Sequence, residues 1–351
     1  MRRKVQLAAI GFIASAALTL AGCVAAAEES SSDPVAGGEE SSRLTIGLTV
    51  NDTTSFVNEG KEALQYYADV NNIDLIITDP KGDVSVQASQ IEQFIRQGVD
   101  GIMVIAIQPD TYNAQVTQAK EAGIPLLNIN SAINSPDTAG SLEPDDEEAG
   151  ALIAQAMIDH IGGSGNLVIL HGPFGNSAEV LRQAGIDRVL AENPDVKVLA
   201  SDTANWARDE AANKTANWIT AYGDQIDGIL AHNDDMGLGA MQAVKEANLS
   251  IPVVGIDGLQ DALRAIQTGE FIGTVIQNGS IELALGLALT VAIINGDATE
   301  NHIAFKMPYV TADDVDVYVD HLIDNKPAFI KRVPGLVDRN LKSGDYSNES
   351  E

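Results

Sequence analysis

The sequence predicts an α/β protein of two doubly wound, parallel-sheet domains joined by a multi-crossover hinge. Three observations carry this. From Leu44 onward, short apolar runs alternate with amphipathic stretches, the pattern of repeated βαβ units. The runs are apolar throughout, as strands covered by helices on both faces must be. The series also reads twice, as similar halves near 44–143 and 145–277 with no composition break between them.

Taken in order, strands are predicted at Leu44–Val50, Asp74–Thr78, Gly101–Ala106, Pro125–Ile129, Asn166–His171, Lys197–Ala200, Gly228–His232, Pro252–Ile256 and Gly273–Gln277. Between them lie predicted helices at Ser55–Val70, Val84–Gln97, Tyr112–Ala122, Asp146–Ile161, Ser177–Ala191 and Ala207–Tyr222. One nine-stranded sheet is the alternative. Two sheets fit better, because polar strand ends recur in both halves. A late helix near Ile281–Ile294 and a late strand near Ile303–Met307 are expected to return to the first domain. The domains are therefore drawn as 44–144 plus about 278–306, and 145–277 plus about 307–320. After Tyr318, running into a tail drawn as 321–351, the apolar clusters Val319–Ile323 and Phe329–Leu336 lead to a polar end; partial docking followed by fraying is expected.

The N-terminus reads as a leader. Arg2-Arg3-Lys4 precedes an apolar run from Val5 to Leu20, too marginal for a spanning helix, although an uncleaved anchor is the alternative. Leu20-Ala21-Gly22-Cys23 resembles the lipobox of bacterial lipoproteins. Residues 1–22 are thus read as a signal peptide, Cys23 as the lipidation site and 23–43 as a flexible acidic tether. The expected location is the outer face of the cell membrane. Cys23 is the sole cysteine, which excludes disulfides and cysteine metal sites within one chain. The net charge is −29, and without residues 1–22 there remain 18 cations against 50 acids. Nucleic acid is excluded as a partner; spread along the chain, the charge keeps a surface solvated.

The most informative segments are Ile229-Leu-Ala-His-Asn-Asp-Asp-Met-Gly-Leu-Gly-Ala-Met241 and Val253-Val-Gly-Ile-Asp-Gly258. Each is an apolar run stopping on a polar group, Asn233 in one and Asp257 in the other. Open α/β sheets bind ligands just past the carboxyl ends of their strands. An amide and a carboxylate delivered there suit a neutral, hydroxyl-rich molecule.

With Gly273-Thr-Val-Ile-Gln277, these segments give the chain from about Leu44 to Val317 its resemblance to the type I periplasmic sugar-binding proteins. These are the ribose-binding-protein-like receptors of ABC importers, here in lipoprotein form. The resemblance implies sugar contacts from Asn233, Asp257 and Gln277. It adds Arg182, in Arg182-Gln-Ala-Gly-Ile186 with one residue more than the family spacing, and Trp206 as a stacking aromatic. The first domain departs from the pattern. Only Phe56 stands for the family's paired aromatics, Gln108 replaces a usual Asn, and Asn130-Ser131 replaces an Asp-Arg pair. The expected ligand-binding set is Phe56, Gln108, Asn130, Arg182, Trp206, Asn233, Asp257 and Gln277. Six of these have a plainer reading: Asp257 as a helix cap, Asn233 as a turn residue, Arg182 as a surface cation, Trp206 and Phe56 as packing, Gln277 as the polar end of an apolar run.

Other features carry less. Gly237-Leu-Gly239 lacks a phosphate-loop fingerprint, and Asp145-Asp-Glu-Glu148 reads as an acidic helix start. The histidines (His160, His171, His232, His302, His321) show no metal-ligand spacing. His171-Gly-Pro-Phe-Gly has no Gly-x-Ser-x-Gly partner. No metal, cofactor or catalytic constellation is predicted. The leading function is a monomeric, tethered receptor that closes on a monosaccharide or polyol and delivers it to an ABC transporter permease. A sensor presenting ligand to a membrane kinase or chemoreceptor shares the site and differs in its partner. A secreted α/β hydrolase would need a nucleophile–base pair. A repressor of the related lactose-repressor family would need a helix-turn-helix where the leader stands.

Overall fold

The computed structural model describes residues 43–345, so the predicted signal peptide, Cys23 and nearly all of the tether lie outside the described residues. Six strands form a first sheet. Five of them are β1 (Leu44–Thr49), β2 (Ile73–Thr78), β3 (Gly101–Val104), β4 (Leu126–Ile129) and β5 (Gly140–Pro144). The sixth, β11 (His302–Phe305), arrives late. A second sheet holds β6 (Gly165–His171), β7 (Val196–Thr203), β8 (Gly228–Ala231), β9 (Val253–Asp257), β10 (Gly273–Ile276) and β12 (Tyr309–Val310).

The strand orders β2-β1-β3-β4-β5-β11 and β7-β6-β8-β9-β10-β12 are the same pattern used twice. All pairings are parallel except β10 with β12. Each order begins 2-1-3, so winding reverses beside β1 and again beside β6. Those reversals are the places where such sheets open a crevice for ligands. The chain passes between sheets three times: after β5, after β10 and after β11.

Helices α1 (Ser55–Val70), α2 (Val84–Gln97) and α3 (Asn113–Glu121) follow β1, β2 and β3. Helices α4 (Asp146–His160), α5 (Ser177–Glu192), α6 (Arg208–Tyr222), α7 (Asp234–Glu246) and α8 (Gln260–Gln267) follow β5 to β9. Polar caps start several of them: Thr54 for α1, Asp83 for α2, Asn176 for α5 and Asn233 for α7 each accept from a backbone N–H of the first turn, satisfying donors the helix cannot. Gly239, in the predicted non-phosphate Gly-Leu-Gly, serves packing: a Cβ there would sit 2.1 Å from the Arg208 carbonyl oxygen, so α6 and α7 meet at close range.

Helix α9 (Gly279–Asn295) is apolar around most of its circumference and buried from Gly279 to Thr290. It packs against α1 and the first sheet on one side and α11 (Lys326–Ser343) on another. Before α11 come the short α10 (Val315–Val319) and a π-turn, Asp320–Asp324. The tail, expected to dock in part, packs through α11, and its polar end beyond Asp345 lies outside the described residues. Phe329, Ile330, Val333, Leu336 and Val337 are all buried along α11, so the tail is a structural helix over α1 and α9. Strands β5 and β12 and helices α8, α10 and α11 were not predicted. The β5 segment, Gly-Ser-Leu-Glu-Pro, has too few apolar residues for a pattern signal. Among the described residues, no helix is long and apolar enough to cross a membrane.

Candidate functional site

Strand ends from both sheets converge on one cleft. Asn51, Thr54, Phe56, Asn130 and Ser131 line it from the first half; Asn176, Ala178, Arg182, Trp206, Asn233, Asp257 and Gln277 line it from the second. The walls touch across the opening. Asn176 Nδ2 donates to the Ile107 carbonyl at 3.3 Å, and the Ala132 N–H donates to Ser177 Oγ at 3.0 Å. On the hinge side the Gln260 N–H donates to Glu59 Oε1 at 3.4 Å. The conformation is therefore closed.

Arg182 organises the second-half wall. It is 4% exposed, reaching inward from α5. Its Nε donates to Asp146 Oδ1 at 2.7 Å, its Nη2 to Gln277 Oε1 at 2.7 Å, and its Nη1 to the His232 carbonyl. A guanidinium has five N–H groups, so one on each Nη stays available. Asp257 Oδ1 lies 3.8 Å from Nη1, close enough for attraction but too far for a direct hydrogen bond. Its carboxylate keeps acceptor capacity toward the cleft. Trp206 covers this group, with the guanidinium carbon 5.6 Å from the ring centroid, a cation–π distance. The ring lies so close to Gly172 that a Cβ there would be 2.1 Å from it, so only glycine fits beneath the indole.

The backbone is bent to present these groups. Asp257 has φ 132°, Trp206 φ 62° and Asn130 φ 65°. Such conformations in non-glycine residues persist only where the surroundings impose them. For Asp257 the imposing group is Asp234, whose Oδ2 accepts from the N–H of Gly258 at 2.8 Å and of Leu259 at 2.9 Å, and whose Oδ1 accepts from Thr274 Oγ1 at 2.8 Å. Asp234 thus builds the site without lining it.

Burial dominates the electrostatics. It pushes the Asp257 carboxyl well above the usual range, against the pull of Arg182. It raises Asp234 to about 7 and Glu282 to about 8. It also raises Asp146, with Arg182 pulling the other way. One guanidinium therefore sits in the field of three buried acids, Asp146, Asp257 and Glu282.

Seven of the eight predicted site residues meet in this cleft: Phe56, Asn130, Arg182, Trp206, Asn233, Asp257 and Gln277. Gln108 stands apart from these seven. Its β3 strand ends at Val104, and the chain carries Gln108 to the rim. There its amide lies 3.7 Å from where a Cβ of Gly175 would stand. Asn233 combines two readings, lining the cleft while its Oδ1 caps α7 by accepting from the Met236 N–H at 3.0 Å. Sequence reasoning missed Asn51, Thr54 and Asn176. It also read Asp146 only as part of an acidic helix start, although its neighbour Asp145 is the cap and Asp146 is the buried partner of Arg182. An acid directly after a cap, on the inward side of its helix, was the available signal.

The histidines also differ from the sequence expectation. His171 and His232, at adjacent strand ends, meet Glu179 with ligand-type atoms within 4.8 Å of one another. His171 Nδ1 lies 3.0 Å from Glu179 Oε1, and His232 Nε2 lies 3.2 Å from Gln183 Oε1. Burial, then His171 and Arg182, hold His232 well below the usual imidazole value, and so neutral. The adjacent Arg182 guanidinium disfavours a cation here, and the cluster's link to the cleft is the His232 carbonyl, which accepts from Arg182 Nη1.

Two sheets of one winding pattern, closed over a polar cleft with aromatic sides, define a solute receptor. The chain belongs to the periplasmic binding protein domain family, whose model matches residues 46–298. It is 51% identical over 305 residues to a xylitol-binding protein of Mycolicibacterium smegmatis, covering 87% of each chain. It is 33% identical to a putative rhizopine-binding protein of Rhizobium meliloti, over 70% of this chain and 82% of that one. Among solved structures, an ABC transporter solute-binding protein from Bacillus halodurans with bound myo-inositol aligns with a TM-score of 0.76 at 26% identity, over 80% of this chain and 99% of that one. The family comprises non-enzymatic receptors working outside the cytoplasm, so the chain is a binding protein and not an enzyme.

Proposed function

We propose that this receptor captures a small polyol or monosaccharide by hinge closure and delivers it to the permease of an ABC importer. One observation carries the reading. Arg182 and Asp257, 3.8 Å apart, face a closed cleft flanked by Trp206 and Phe56 and rimmed by amides and hydroxyls. Hydroxyls donate to Asp257 and accept from the free N–H groups of Arg182 and Asn233, while C–H faces lie against the aromatics. Contacts from both walls favour the closed state. The neutral pair Asn130 and Ser131 suits an uncharged ligand, and the xylitol-binding relative points toward sugar alcohols.

The site set is Phe56, Asn130, Arg182, Trp206, Asn233, Asp257 and Gln277, with Gln108 at the rim. The binding unit is 44–144 plus about 278–306 against 145–277 plus about 307–320, and it works as a monomer. Leu20-Ala21-Gly22-Cys23 after a basic leader supports lipid anchoring through Cys23, since several acyl chains hold a protein firmly at a membrane.

The test is a thermal-shift screen of the purified protein against pentoses, hexoses, inositols and sugar alcohols. A ligand that binds the native state raises the melting temperature by mass action. A shift with an amino acid or nucleoside, and with no carbohydrate or polyol, contradicts the reading.

A further inference from the structure

We propose that Glu282, which does not line the cleft, is a positioning residue that fixes which end of the Asn130 and Gln277 amides faces the ligand. It thereby sets the donor–acceptor pattern the cleft reads. This rests on the polyol reading above. Glu282 is 3% exposed on the first turn of α9. Its Oε1 accepts from Asn130 Nδ2 at 3.2 Å, and its Oε2 accepts from Gln277 Nε2 at 2.9 Å. Asn130 follows β4 of the first sheet and Gln277 follows β10 of the second, so one carboxylate ties the two walls together.

An amide side chain has an acceptor end and a donor end, and its surroundings decide which points where. Gln277 is held twice, since its Oε1 also accepts from Arg182 Nη2 at 2.7 Å. Asn130 depends on Glu282 and on a longer contact, Ser131 Oγ donating to its Oδ1 at 3.3 Å. An ionised carboxylate only accepts, so it turns both NH2 groups toward itself and leaves Asn130 Oδ1 for the cleft. An amide at position 282 must donate to one neighbour. Gln277 is pinned by a cation, so Asn130 would turn over.

The experiment titrates xylitol calorimetrically into wild type, Glu282→Gln, Asn130→Asp and the double variant. It is run at pH 9, above the value of about 8 to which burial raises Glu282. Glu282→Gln is expected to bind about 10-fold or more weakly, the scale of one mismatched hydrogen bond. Asn130→Asp alone sets two carboxylates together and weakens binding at least as much. In the double variant the new amide donates to the new carboxylate, an acceptor again faces the cleft, and affinity returns to within about threefold of wild type, a coupling of the kind double-mutant cycles isolate. Glu282→Gln binding like wild type, or a double variant no tighter than both single ones, overturns the proposal. If wild type binds no polyol at all, the functional reading fails. The side-chain amide NMR signals of Asn130 and Gln277 then decide this one. The Asn130 pair must shift in Glu282→Gln with Gln277 little changed; unchanged signals for both overturn it.

Discussion

On the second-half wall of the cleft, Arg182 is already bonded to Asp146, Gln277 and the His232 carbonyl, and the Asp257 carboxylate is aimed by a turn that Asp234 holds. On the first-half wall, Asn51, Thr54, Asn130 and Ser131 offer neutral groups, and Asn130 is held by a buried acid, Glu282. The two sheets share a winding order, so the difference does not come from the fold. It comes from which side chains sit at equivalent strand ends. The charged wall supplies affinity and orientation, and the neutral wall chooses among ligands of similar chemistry.

The largest expected effect tests whether the charged wall is self-supporting. Asp146→Ala leaves the Arg182 guanidinium buried without its nearest counter-charge, which costs about 3–5 kcal/mol of stability. Chemical denaturation should show that loss, whereas a change below about 1 kcal/mol would mean the wall does not depend on the pair. Next comes Asp257→Ala. Losing charge-assisted hydrogen bonds to two ligand hydroxyls, about 1.5 kcal/mol each, weakens binding by roughly 100-fold. The melting temperature should hold or rise, because the substitution removes a buried carboxyl whose charged form burial penalises. Retained affinity would remove Asp257 from the site. Asn130→Ala, on the neutral wall, should cost about 1 kcal/mol and reorder the ligands bound. An unchanged preference would break the division of labour between the walls.

The smallest effect is on pH. Glu282 sits near 8, and Asp234 and Glu59 near 7, each raised by burial above an ordinary value of 3.8 to 4.5. Between those values and 7–8 the native chain binds protons the unfolded chain has released, so stability falls as pH rises through this window. The melting temperature is expected to be higher at pH 6 than at pH 8.5. A rise over the same interval would contradict the assignment of these buried acids.

The strand-end rule pointed to Asn233 and Asp257 because each interrupts an apolar run, a signal local in sequence, and Gln277 came from the resemblance. The alternation of runs and amphipathic stretches likewise conveyed two parallel sheets. What stayed illegible depends on distance along the chain or on backbone shape. The Asp146–Arg182 pair spans 36 residues and the Asn130–Glu282 contact 152; neither leaves a local pattern. Gln108 stands at the rim because β3 ends sooner than its apolar run. The left-handed turns at Asn130 and Trp206 carry no glycine to announce them. The length of α11 along the docked tail was not legible, because its apolar face finds a partner only once α1 and α9 have packed.

The central claim, that the Arg182–Asp257 cleft takes a small uncharged polyol or sugar, is most directly tested by titrating xylitol, myo-inositol and ribose into the purified protein in a calorimeter. The account predicts saturable binding of at least one of them at one site per chain, with a dissociation constant in the micromolar range or below. No heat from any of the three, alongside saturable binding of an amino acid or nucleoside, would contradict it.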